Sequence, residues 1–106
     1  MCMIRHVVMW KLRGPSADEK RGQAARIRTA LLGLVGKVPG MLDLNVGIGE
    51  PASDEQRPDL VLITTHENWQ ALETYQKHPD HQQVAELIGE LRTERRVVDF
   101  ELEGEA

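Results

Sequence analysis

Tyr75, His78 and His81 surround Pro79 in the stretch YQKHPDH, in a chain that has one tyrosine and four histidines. Imidazole and phenol together suit proton transfer. A neutral histidine can remove a proton alpha to a carbonyl, and a tyrosine hydroxyl can donate to the developing enolate oxygen. His81 is read as the base and Tyr75 as its hydrogen-bonding partner. His6, Trp10 and His78 are read as residues that line or rim a ligand pocket. A single histidine on an apolar helix face is more often a satisfied core residue than a catalyst. Convergence of three such groups from separate elements is what points to a site.

The elements that would position these groups follow from periodicity. In Ile4 to Leu12 the even residues Ile4, His6, Val8, Trp10 and Leu12 share one face of a strand. Ser16 with Glu19 reads as a capping box, opening a helix that carries Ile27, Leu31, Leu34 and Val38 and ends at Val38–Gly40. Met41 to Ile48 reads as a second strand, followed by the polar loop GEPASDEQRPD, and Leu60 to Thr65 as a third. His66 and Glu67 read as strand end, and Asn68 as a helix cap. The next helix should break before Pro79, because the residue before proline disfavours helical backbone and proline suits a first helical turn. His81, Val84, Ile88 and Leu91 then share one face, as do Tyr75, Ala71 and Leu72 on the preceding piece. Arg92, Arg95 and Arg96, mixed with Glu90 and Glu94, read as a solvated helix end. Arg96 to Leu102 closes as a strand.

The order β-α-β-β-α-β over residues 1–106 is that of a single α+β domain, a ferredoxin-like sandwich with both helices on one sheet face. Val7 and Met9 make the other face partly apolar, so a second copy of the chain is the expected cover, giving a homodimer. Trp10 and Trp69 are both expected in the core, with Trp10 as a pocket wall beside His6.

Charge and composition narrow the function classes. Seventeen acidic and thirteen basic residues leave a net charge of −4, unsuited to a nucleic-acid or anionic-membrane surface. Cys2 is the only cysteine, which fits a reducing, cytoplasmic setting. No apolar run is long enough for a membrane span, and no secretion signal is recognisable. No phosphate-binding glycine loop is present, and no serine or cysteine sits in a nucleophile setting. HPDH alone is too sparse to hold a metal, so neither metal nor cofactor is expected.

IRHVVMWKL, DLVLITTHENWQALETYQKHPDHQQV and RRVVDFEL together resemble the stress-responsive A/B barrel (Dabb) family, over nearly the whole chain. The resemblance implies a homodimer whose two sheets form an α/β barrel with the helices outside. It also implies kinship with plant stress proteins and with olivetolic acid cyclase, which closes a polyketide by cofactor-free aldol chemistry. In that setting Tyr75 and His81 would carry the acid–base work and His6 would line the pocket. Leu60 stands where the cyclase has a further pocket histidine, and His66 where the family usually has an aromatic residue. The expected function is a stress-response dimer with a pocket for a small apolar metabolite and a capacity for cyclase-like chemistry. The alternatives are a non-catalytic assembly protein with a filled core and, further off, an antibiotic-biosynthesis-type monooxygenase.

Overall fold

Alternation of buried and half-exposed residues along β1 (Ile4–Leu12) sets the architecture, with every even residue facing the helices. The computed structural model describes residues 2–50 and 56–103. After β1 come α1 (Ala17–Leu32), β2 (Met41–Ile48), β3 (Leu60–His66), α2 (Trp69–Lys77), α3 (Pro79–Leu91) and β4 (Arg92–Glu101). The strands form one antiparallel sheet in the order β2-β3-β1-β4, the ferredoxin-like α+β arrangement that the sequence implies. Of the polar loop after β2, residues 51–55 lie outside the described part of the chain.

Ser16 caps α1 by accepting from the Glu19 N–H, as the capping box predicts. The helix nevertheless stops at Leu32, well short of the expected Val38. Gly33 is its C-cap, and Gly36 and Gly40 adopt φ of +80° and +83°. Turns of this kind need glycine. Gly40 is doubly constrained, because a Cβ there would come within 2.6 Å of the Ala71 Cβ. Leu34 and Val38 are buried all the same, carried onto the core by the turn rather than by helical periodicity.

Ile27 and Leu31 from α1 join Ile4, Val8, Leu60 and Leu62 from the central strands in one apolar core. Full burial of side chains of this size is worth about 1.5–3 kcal/mol each. Asn68 caps α2, accepting from the Ala71 N–H. Trp69, expected in the core, is instead 51% exposed at the first position of α2, where its direction from the axis turns it away from the sheet.

Among the described residues no helix covers the opposite sheet face. Val7 lies opposite Ile63 and Val98, Met9 opposite Val61, and Arg5 opposite Phe100. Val98 is 52% exposed and Phe100 41%. β4 also differs from expectation. It begins at Arg92 rather than Arg96, so the arginines read as a helix end belong to an edge strand.

Candidate functional site

The break between the second and third helices is built by His78. Its backbone is extended (φ −62°, ψ 133°), the conformation favoured before proline, and its Nδ1 accepts from the Asp80 N–H at 3.1 Å. It thus ends α2 and caps α3. Tyr75, one turn before the break, is completely buried beside Ala71 and Leu72. His81, in the first turn of α3, shares an inward side with Val84 and Ile88. Both rings meet below the break, with centroids 4.4 Å apart and planes tilted by 55°.

His6 reaches the same place from the middle of β1. Its ring centroid is 6.0 Å from that of Tyr75, in an edge-on arrangement, and its Nδ1 is hydrogen-bonded to the Asp99 carboxylate of β4. The register explains that contact, since His6 and Asp99 face each other across the two strands. A fourth ring, His66 at the end of β3, stands 5.0 Å from Tyr75 and 6.4 Å from His6. It is fully buried, and its Nε2 hydrogen-bonds with the Thr64 hydroxyl at 2.8 Å.

Three polar atoms in this cluster have no hydrogen-bond partner among the described residues: Tyr75 Oη, His81 Nδ1 and His66 Nδ1. Each orphaned buried group costs about 1–3 kcal/mol. Burial also governs their protonation. It lowers the pKa of His66 to about 4, with the neighbouring His6 adding to the effect. Burial likewise pushes His81 below its ordinary value, reinforced by His6, Arg95 and His78 and opposed by a hydrogen bond between its ring and the Gln76 backbone. The Tyr75 hydroxyl is pushed upward by burial, with Arg95 pulling weakly the other way. Near pH 7 the His66 and His81 rings are therefore neutral and the Tyr75 phenol is protonated.

Tyr75 and His81, but not His66, border a cavity of about 130 Å³ between α3 and the β1–β4 side of the sheet. Its walls bring together His6, Trp10, Tyr75 and His81 with Val84 and Ile88. His78 is not among the lining residues; its ring is engaged as the cap of α3. Arg92 and Arg95 do line the cavity, which the reading of a solvated helix end had hidden. Among the described residues no three metal-binding side chains cluster.

A four-stranded antiparallel sheet with its helices on one face, and a cavity held between them, defines a ferredoxin-like α+β protein. Residues 4–102 match the stress responsive A/B barrel domain family, and the chain belongs to it. No curated protein matches the sequence. Among solved structures the chain is similar to a dimeric protein of unknown function from Bacteroides fragilis, at 24% identity and a TM-score of 0.83, covering 94% of this chain and 96% of that one. A Dabb family protein from Mesorhizobium loti matches at 17% identity and a TM-score of 0.76, over 98% of this chain and all (100%) of the other. A hydroxynitrile lyase from Passiflora edulis matches at 13% identity and a TM-score of 0.70, over 98% and 95%. At these identities the likeness is one of fold.

Proposed function

We propose that the chain forms a homodimer through its open sheet face, and that its cavity binds a small carbonyl compound on which His81 and Tyr75 carry out cofactor-free acid–base chemistry. The observation that carries this reading is the set of unpartnered buried atoms, Tyr75 Oη and His81 Nδ1, at a cavity large enough for a ligand. A filled core would leave no such space, and a purely structural cluster would gain stability by pairing those groups. The dimer is supported by the row of exposed apolar residues on β4 and by the Bacteroides fragilis relative, which is described as dimeric.

Size limits the substrate. An apolar cavity of about 150 Å³ is known to hold benzene, so a space of this volume takes one ring or a short acyl group. A longer chain must run out over β4, where Val97 lies exposed on the helix side. In the reaction, His81 takes a proton from the carbon alpha to the carbonyl and the C–H electron pair moves into an enolate. The Tyr75 O–H donates a hydrogen bond to the enolate oxygen. Return of the proton from His81 to a different carbon completes an isomerisation; alternatively the enolate carbon attacks a second carbonyl, and the alkoxide so formed takes the proton from His81 to complete an aldol step. The Passiflora edulis lyase lends the fold a precedent as an enzyme.

Deuterium exchange into the alpha position of small ketones, followed by proton NMR in heavy water, tests this function without knowledge of the natural substrate. Exchange that the protein accelerates and His81→Ala abolishes is the expected result. Exchange at the buffer rate for every ketone tried, or undiminished exchange in His81→Ala, would overturn it.

A further inference from the structure

Arg92 and Arg95 are three residues apart on β4, and in a regular strand they would face opposite sides. Pairing with β1 is irregular here: Glu94 lies opposite Lys11 but Arg92 lies opposite Leu12, with Thr93 left over as a bulge. The extra residue turns Arg92 back to the helix side, the side that Arg95 already occupies opposite Trp10. Both arginines consequently border one cavity. Among the described residues no aspartate or glutamate lines that cavity, and these two arginines stand at it in a chain with a net charge of −4. Among the described residues neither guanidinium has an acidic partner, the ion pairs there being His6–Asp99, Arg21–Asp18 and Lys77–Glu73. Asp99, on the same side of β4, is taken up by His6.

Two unpaired arginines at the wall of a cavity that also holds the orphaned Tyr75 hydroxyl describe a place for an anion with an apolar or carbonyl end. From the bulge, the two guanidiniums and the cavity, we infer that the ligand is a compact carboxylic acid, an oxo acid in the reactive case. Arg95, with Arg92, holds its carboxylate at the mouth, and its other end enters toward Tyr75 and His81. The inference rests on the acid–base reading of the same cavity and adds the chemical class of the substrate. A planar guanidinium fits a carboxylate through two parallel N–H···O bonds, a match that an ammonium group or a neutral amide cannot reproduce. Arg95 and Arg92 are thus specificity residues, distinct from the proton-transfer pair.

Benzoate and benzamide share a ring and nearly share a shape, but only benzoate carries the charge. Trp10 lines the cavity while Trp69 is exposed, so in a Trp69→Phe background the remaining indole reports occupancy. Benzoate is expected to bind about ten-fold or more tightly than benzamide, as charge-assisted hydrogen bonds require. Arg95→Gln should erase that preference; the side chain is exposed, so the fold should survive the change. Equal affinities in the parent protein would overturn the inference while leaving the cavity a binding site. A benzoate preference that persists in both Arg95→Gln and Arg92→Gln would also overturn it. Failure of both probes to bind would remove the pocket and the inference together.

Discussion

The rings of Tyr75 and His81 lie 4.4 Å apart, centroid to centroid, yet neither the tyrosine hydroxyl nor His81 Nδ1 makes a hydrogen bond among the described residues. Two side chains with complementary donors and acceptors stand side by side without satisfying each other. The helix break at His78 creates this relation, because α2 and α3 could not both end on one spot if they formed a single straight helix.

Tyr75→Phe should separate stability from function. The hydroxyl has no partner to lose among the described residues, so its removal is expected to leave stability unchanged or raise it by about 1 kcal/mol, read from urea denaturation. Ketone exchange should fall in the same variant. Destabilisation by about 2 kcal/mol would mean that the hydroxyl is satisfied in solution and is not held for a ligand.

The pH dependence of folding should carry the mark of His66. Its pKa falls from the ordinary 6.5 to about 4 on folding, so between those values the unfolded chain binds a proton that the folded chain refuses. Stability is then complete above about pH 6.5 and is lost as the pH falls toward 4, by at most about 3 kcal/mol. The lowered pKa of His81 acts in the same direction. Urea midpoints at about pH 7.5 and about pH 4.5 should differ less in His66→Gln than in the parent. An identical pH slope in the two proteins would show that His66 does not titrate in this way.

Asp99 should matter through His6. Asp99→Ala leaves the Nδ1 of a buried histidine without its acceptor and is expected to cost about 1–3 kcal/mol. Asp99→Asn keeps an acceptor oxygen and should cost less. Equal, negligible losses in thermal denaturation would mean that the His6–Asp99 contact contributes nothing.

Assembly can be broken on the open face alone. Val98→Lys puts a charge at the centre of the proposed interface, opposite Val7, on a side chain that the lone chain leaves half exposed. Burying an unpaired ammonium costs several kcal/mol, so dimer affinity should fall by about a hundred-fold or more in sedimentation while the monomer remains folded. An unchanged dimer would move the interface elsewhere.

Much of this site is legible in the sequence, and the residues that are not share a cause. Period-two alternation puts His6 and Trp10 on the covered face of β1, and helical spacing puts Tyr75 and His81 inward. His66 carried the same signal, because Leu60, Leu62, Thr64 and His66 share a parity and all four are buried. Its nearness to the Asn68 cap favours the plainer reading of a strand end. Arg95 depends on where β4 begins and Arg92 on the Thr93 bulge, and neither feature is set by local residue preferences. The pairing of the edge strand with β1 decides both. Leu34 and Val38 misled in the opposite way, keeping helical spacing through a glycine turn. Trp69 shows that size and apolarity do not by themselves fix burial when helix phase turns a side chain outward.

The most direct test of the account is a side-chain nitrogen NMR titration of His81. The account predicts a neutral ring at pH 7 with a midpoint below the ordinary 6.5, and a shift of its Nδ1 resonance when a carbonyl ligand is added. A ring already protonated at pH 7, or an Nδ1 that no carbonyl ligand perturbs, would contradict it.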